Sequence, residues 1–273
     1  MNDRLDLAAV GDNCVDRFRP PIGLSAIGGN AVNVAVHLAR RGHRATYFGA
    51  IGDDSEGRRM QRCLIDNGLD LAGLRIIAGG QTAYTDIATN PDGERMIRFE
   101  EFGVCRGYRP SEAEIDRLKR MRHVHIGWLD DGGALKRQLL AAGLSVSQDL
   151  SVDTDIRHAS PQGLSIAFAS AGPFETRADA LLQQALAAGA AIAVVTCGPL
   201  GSRASDGCGI VTMQAAPATV VDTTGAGDSF AAGFLDAHLA GADLAGALKA
   251  GAELAALTCA HFGGFPQIGF TRG

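Results

Sequence analysis

The chain has 273 residues, 46% of them hydrophobic and 20% charged, with a formal net charge of −5. That length suits one large α/β domain with a well-buried core, and mild acidity without a Lys/Arg run argues against nucleic acid as a partner. The opening MNDRLDLAAVGDN passes directly from charged residues into a strand-like run, no apolar stretch is long enough to span a bilayer, and six dispersed cysteines without CxxC pairs suit free thiols in a reducing cytoplasm.

In chain order, strands are expected at 5–12 (LDLAAVGD), 45–52 (ATYFGAIG), 123–129 (HVHIGWL), 144–151 (LSVSQDLS), 165–170 (SIAFAS) and 191–198 (AIAVVTCG). Helices are expected at 31–42, 55–68, 111–121, 132–143, 176–189 and 228–241, and from Asp243 to His261. Several of these end at a glycine, a common helix stop. The alternation is that of an α/β fold, and near-continuously apolar strands favour a parallel sheet covered on both faces. Residues 81–104 break the pattern, reading as two strands around an NPDG turn. Mixed polar and apolar strands suggest a β-flap projecting from the main sheet, joined by residues near 14–27; an ordinary edge hairpin is the alternative. A further apolar strand, ATVV (218–221), is expected to run into a glycine turn. No repeat or linker divides the chain, so 1–273 reads as a single domain.

Four stretches carry candidate chemistry. Asp12 and Asp16, in VGDNCVD, fall where the first strand ends, the place where open parallel sheets bind ligands. A turn-forming Asp-Asn pair would account for them equally. Gly28 and Gly29 lead into a helix on which Asn30 and Asn33 share one face. Amides there can cap the helix, or donate to and accept from sugar hydroxyls. The third stretch, GAIGDDSEG (49–57), reads as a strand–turn–helix joint. The fourth, DTTGAGD (222–228), places a glycine turn at a helix N-terminus, whose free N–H groups and dipole favour an anion. Gly225 and Gly227 would let the backbone approach phosphate oxygens. Asp228 at such a site is either an N-cap or a base that takes a proton from an attacking hydroxyl. Neither the GxxxxGK[ST] spacing nor a GxGxxG after the first strand is present, which excludes a Walker loop and argues against a dinucleotide oxidoreductase.

In order along nearly the whole chain, these stretches resemble the ribokinase-like, or PfkB, carbohydrate kinases. GGNAVNVA (28–35) is similar to the family's N-terminal signature and GAIGDDSEG to its GxxGxDxxG element, through Gly49, Gly52, Asp54 and Gly57. VTCGPLGS (195–202) resembles its nucleotide-side loop and DTTGAGDSFAAGF (222–234) its C-terminal signature. The resemblance implies a ribokinase-like three-layer sandwich with a mainly parallel central sheet and a small β-hairpin lid, from elements near 14–27 and 81–104. It implies Asp228 as general base and Thr224, Gly225, Ala226 and Gly227 as anion hole. Asp12, Gly28, Gly29, Asn30 and Asn33 would hold the sugar. Thr196, Gly198, Gly201, Gly225, Gly227, Ala256, Cys259 and Gly263 would line the nucleotide site. ATP and Mg²⁺ are the implied cofactors, with room for a monovalent cation and for a homodimer through the lid.

The family's Asn-x-x-Glu magnesium element is not matched: FASAGPFETR has Ser170 where the asparagine belongs, leaving Glu175 to act through water. GDNCVD and GGNAVNVAV look most like members acting on Amadori products. The expected activity is therefore ATP-dependent phosphorylation of the primary hydroxyl of a ketose derivative, a fructosyl-amino acid such as fructoselysine. A fructokinase or ribokinase is the alternative, and a sugar-binding regulator that has lost catalysis is the rival from another class.

Overall fold

A computed structural model of the chain describes residues 4–89, 95–152, 155 and 157–271. The expected NPDG turn (90–93) and the side chain of Glu175 lie outside the described residues. Strands and helices alternate as β1 (Asp6–Val10), β2 (Cys14–Phe18), β3 (Leu24–Gly28), α1 (Asn30–Arg40), β4 (Arg44–Gly52), α2 (Ser55–Asp66) and β5 (Asp70–Ile77). The hairpin β6 (Tyr84–Thr89) and β7 (Arg95–Glu101) follows, then α3 (Glu112–Leu118), β8 (His123–Ile126), α4 (Ala134–Ala141) and β9 (Val146–Asp149). The C-terminal part comprises β10 (Ile166–Ser170), α5 (Glu175–Ala187), β11 (Ile192–Thr196), β12 (Ser202–Ser205), β13 (Ile210–Met213), α6 (Ala226–Leu239), α7 (Leu244–Cys259) and β14 (Phe270–Thr271).

Nine strands form the central sheet in the order β13-β12-β11-β10-β9-β8-β1-β4-β5. Its pairs are parallel except β11–β12 and β12–β13 at one edge. Successive residues of a strand point to opposite faces. On β1, Leu7 and Ala9 enter a core shared with α1, α6 and α7, while Ala8 and Val10 enter a second core with α3, α4 and α5. That two-sided burial is why the strand reads as an uninterrupted apolar run. Helix α1 is enclosed almost all round, with every residue from Asn30 to Leu38 buried. Asp54 caps α2 by accepting from Gly57 N, and Ser111 with Glu114 forms a capping box at α3.

A second, five-stranded sheet, β14-β3-β2-β6-β7, joins the hairpin to residues 14–28. It contains the projecting hairpin read from the sequence, with a register shift between Asp86 and Ile87. Four short or interrupted strands, β5, β12, β13 and β14, lie outside the strands expected from the sequence. The expectation for ATVV was wrong: residues 214–221 have no sheet partner, and Val220 and Val221 are exposed. Val221 N donates instead to Cys259 O at 2.8 Å, so this stretch runs along the end of α7. Helix α6 also starts earlier than expected, at Ala226, with Gly225 as its N-cap.

Candidate active site

Parallel pairing brings the C-terminal ends of β1, β8 and β9 to one edge of the sheet, facing the N-termini of α1 and α6. The first shared feature there is a carboxylate held by two amides. Asn30 Nδ2 lies 2.6 Å from Asp228 Oδ1, and Asn33 Nδ2 lies 2.6 Å from Asp228 Oδ2. The two asparagines sit on one face of α1, as their spacing predicts, but neither caps it, since the N-cap is Gly29 without a side-chain bond. Asp228 does not cap α6 either; it occupies the first turn, three residues past Gly225.

The carboxylate is crowded by others. Asp149, at the end of β9, accepts from Asn30 Nδ2 at 3.2 Å, so a single amide bridges two acids. Burial pushes Asp228 up to about 7; bonds from Asn33 and Asn30 pull against this, and the charges of Asp149 and Asp12 add to it. Asp149 and Asp12 are both raised, burial being the largest cause in each. A carboxylate titrating near neutrality is suited to accepting and returning a proton.

Asp12 plays a different part from a free ligand. Its oxygens accept from the backbone N–H groups of Asn30 (2.9 Å), Ala31 (3.4 Å) and Trp128 (3.1 Å). It thereby ties the start of α1 to the end of β8. Gly28 faces Asp16 closely, because a Cβ on it would stand 2.7 Å from Asp16 Oδ2. Gly29 has φ 104°, and a Cβ there would meet Asn13 Cα at 2.5 Å.

The turn before α6 divides its N–H groups. Thr224 N donates to Asp222 Oδ1 at 2.6 Å, and Ala226 N reaches Thr223 O at 3.3 Å. Among the described residues no protein acceptor is found for the N–H groups of Gly225, Gly227 and Asp228. Thr224 Oγ1 is buried and unpartnered in the same region. The two glycines differ in their reasons. Gly225 has φ 70°, and its absent side chain leaves room for Gly264 Cα, 2.5 Å from where a Cβ would be. At Gly227 a Cβ would meet nothing within 4 Å, so of these two it is the position that opens outward.

Of the remaining expected positions, Cys259 and Gly263 are bonded to that turn, through Val221 and Asp222. Thr196 ends β11, Gly198 opens a single 3₁₀ turn with φ 55°, and Gly201 closes it. A Cβ at Gly201 would stand 2.1 Å from Met213 O, so close packing of β13 explains this glycine. Ala256 and Cys259 lie on α7, which packs over β12 and β13. Asp222 is buried and also accepts from Gly263 N at 2.9 Å, linking the turn before α6 to the loop after α7.

The pfkB family carbohydrate kinase profile matches residues 24–127 and 148–266, most of the chain. The chain belongs to the pfkB family of carbohydrate kinases. This kinase is 36% identical over 260 residues to the fructoselysine 6-kinase of Shigella flexneri, covering 94% of this chain and 98% of that one. It is 34% identical to the fructoselysine 6-kinase of Escherichia coli K12, with the same coverage. Arabidopsis thaliana ribokinase, solved with ribose and ATP, superposes with a TM-score of 0.79 at 22% identity, covering 94% of this chain and 93% of that chain. The kinase therefore has the ribokinase-like fold and uses ATP to phosphorylate a sugar.

Mg²⁺, typical of such kinases, keeps several waters and is bound mainly through substrate phosphates and one or two carboxylates. Among the described residues no group of three or more His, Cys, Asp or Glu side chains is placed to hold a metal. An ion carried on the nucleotide phosphates would offset their repulsion from a nearby carboxylate. No helix among the described residues is long and apolar enough to cross a membrane.

Five participants escaped the sequence reading. Asp149, His125, Gly127 and Gly264 all touch residues of the site yet lie outside the stretches singled out for their chemistry, while Asp222 lies in DTTGAGD but was given no role of its own. A Cβ on Gly127 would meet Asn30 Oδ1 and Asp12 Oδ1 at 2.7 Å, and one on Gly264 would meet Asn33 Oδ1 at 2.5 Å. The strand-end rule pointed to Asp12 and applied equally to Asp149.

Proposed function

We propose that this kinase transfers the γ-phosphoryl group of ATP to the primary hydroxyl of a fructosyl-amino acid such as fructoselysine. The reading of the chemistry rests on one observation: Asp228 is held by Asn30 and Asn33 beside the free N–H groups of the α6 N-terminus. Phosphoryl transfer demands positioning and charge stabilisation above all. Asp228 accepts the hydroxyl proton as the O–P bond forms. The N–H groups of Gly225, Gly227 and Asp228 face the oxygens of the phosphoryl group. Base and anion hole are neighbours because nucleophile and phosphorus are.

In this reading Asp12, Asp16, Gly28, Gly29, Asn30 and Asn33 shape the sugar side, and Thr196, Gly198, Gly201, Ala256, Cys259 and Gly263 the nucleotide side. The chain is a single kinase domain, and the second sheet acts as a lid over the sugar. Exposed Ile97 and Phe99 on that sheet support pairing of two copies through it. Mg²⁺ accompanies ATP, and a monovalent cation is included in the assay. Six free thiols fit a reducing cytoplasm. The choice of a fructosyl-amino acid is supported by similarity to two fructoselysine 6-kinases along almost their full length.

An ADP-release panel over fructoselysine, fructosylglutamine, fructose, ribose and nucleosides tests the proposal. Fructoselysine or fructosylglutamine should give the highest kcat/KM. A higher value for plain fructose or ribose would replace the substrate assignment.

A further inference from the structure

A thread of polar groups runs through the core between the central sheet and α6. His123 and His125 on β8 and Ser147 on β9 are at most 1% exposed. The His125 ring lies edge-on to Phe168, which in turn packs against Phe234. Apolar surroundings make such groups costly unless every one is bonded. Each is. Ser145 Oγ lies 2.8 Å from His123 Nδ1, and His123 Nε2 lies 2.8 Å from Ser147 Oγ. Ser147 Oγ lies 2.9 Å from His125 Nδ1, and His125 Nε2 lies 3.3 Å from Asn30 Oδ1.

Burial drives both imidazoles down to about 3, so they are neutral at any working pH. A neutral imidazole has one donor and one acceptor. At the far end of the thread, Asn30 directs Nδ2 to Asp228 and Asp149; an oxygen there would face two carboxylates. Its Oδ1 therefore faces His125 and can only accept. His125 Nε2 carries the hydrogen, and its bare Nδ1 takes the Ser147 hydroxyl hydrogen. Ser147 Oγ then accepts from His123 Nε2–H, and His123 Nδ1 takes the hydrogen of Ser145. All four bonds point the same way.

We propose that His125 is a positioning residue whose Nε2–H holds the Asn30 amide with Nδ2 on Asp228, so that the β8–β9 thread sets the proton affinity of the catalytic base. Once Asp228 has taken the proton of the sugar hydroxyl, an untethered amide gains by turning its oxygen toward the new O–H. His125 opposes that rotation, because the turned NH₂ would meet another donor. The amide thus stays in place while Asp228 returns its proton to solvent.

The charged groups facing Asp228 are Asp149 from β9 and Asp12 from the end of β1, while α1 presents only the two amides. His123 is faced by His238 of α6 and by Arg122, whose charges disfavour its protonated form. The inference rests on the reading of Asp228 as base.

The test uses the full chain without ligand. Long-range ¹H–¹⁵N correlation spectra should show His123 and His125 as Nε2–H tautomers that do not titrate from about pH 5 to about pH 9. An Nδ1–H tautomer at His125 overturns the proposal. Carbon-13 titration of the Asp228 carboxyl then compares His125→Leu and His125→Gln with the parent. Loss of the donor should raise the Asp228 midpoint by about half a pH unit or more, since a bond to the charged form is loosened. Glutamine, whose amide N–H can reach the same oxygen, should bring it back to within about 0.2. An unshifted midpoint in folded His125→Leu overturns the tether. Ser147→Ala, which strips the donor from His125 Nδ1 with little loss of volume, should shift the midpoint in the same direction. It decides the question if the leucine variant does not fold. Asp228→Asn is assayed separately on fructoselysine: retained turnover there sinks the base reading, while the spectra still decide the tether.

Discussion

Replacing Asp228 by asparagine should cut turnover steeply and, as pH rises, shift stability in the variant's favour relative to the parent. A carboxyl raised to about 7 in the fold from 3.8 binds its proton more tightly folded than unfolded. Between those values the folded state holds more protons, so this group's contribution to stability falls as pH rises and is at its worst above the folded midpoint. From pH 5 to pH 8.5 that loss is about 2–3 kcal/mol, taking 1.36 kcal/mol per unit. The substituted amide has no charge to desolvate. Its NH₂ must, however, face one of the two amides that now donate to the carboxylate, a mismatch of roughly 1–2 kcal/mol at every pH. The difference between variant and parent should therefore move in the variant's favour by about 2–3 kcal/mol between the two pH values, whatever its sign at pH 5. Urea unfolding at both pH values measures it, beside an ADP-release assay in which turnover falls about 10²–10⁴-fold. Parallel stability curves, with no pH-dependent gain, would refute the claim that the fold holds this carboxylate against desolvation.

The two turn glycines should separate cleanly. Gly225→Ala should cost at least ~1–2 kcal/mol by thermal melting, because the left-handed backbone and the contact with Gly264 both resist a Cβ. Gly227→Ala should melt close to the parent yet lose kcat, since its Cβ enters only the open space beside the free N–H groups. Asp12→Ala should lose on the order of 2–3 kcal/mol of stability along with sugar affinity, because three backbone N–H groups lose their acceptor. Asn33→Ala should weaken sugar binding more than ATP binding, read by titration calorimetry with each ligand. Neutralising Asp86, Arg98 or Glu100 on the hairpin should change the kcat/KM ratio of fructoselysine to fructose by more than about twofold (roughly 0.4 kcal/mol); an unmoved ratio would show that the hairpin ignores the amino-acid appendage.

The parallel sheet, the helices flanking it and the projecting hairpin were legible because burial on both faces imposes long apolar runs on the strands. The strands that escaped lack that signature. β5 is only partly buried, and β12, β13 and β14 are four residues long or shorter. ATVV misled for the same reason in reverse, being apolar but exposed beside α7. Within the site, helix spacing and glycine context singled out Asn30, Asn33 and Asp228, with helix capping as the alternative for each until the family resemblance was added. Asp149 met the same strand-end rule as Asp12 without being singled out, and His125 owes its place beside Asn30 to strand pairing that spans long stretches of sequence. Gly225 was singled out for close approach to an anion, whereas its close packing with Gly264 depends on a residue 39 positions away along the chain and could not be read locally.

One carboxylate anchors the hairpin. Asp54 caps α2 and also accepts from Thr82 N at 2.8 Å and Thr82 Oγ1 at 2.7 Å, while Thr82 Oγ1 accepts from Gly52 N at 3.0 Å. On the returning side Val104 N donates to Gln81 O at 2.9 Å, closing the root. The root therefore cannot move without uncapping a helix of the main body, and any swing begins beyond Thr82. Further out, β6 and β7 pair with each other and β6 with β2 through backbone bonds, while Arg17 of β2 stacks on the Tyr84 ring. With its root fixed in this way, the hairpin is a unit to exchange with another kinase of this fold; a swap that leaves acceptor preference unmoved would show that preference is set elsewhere.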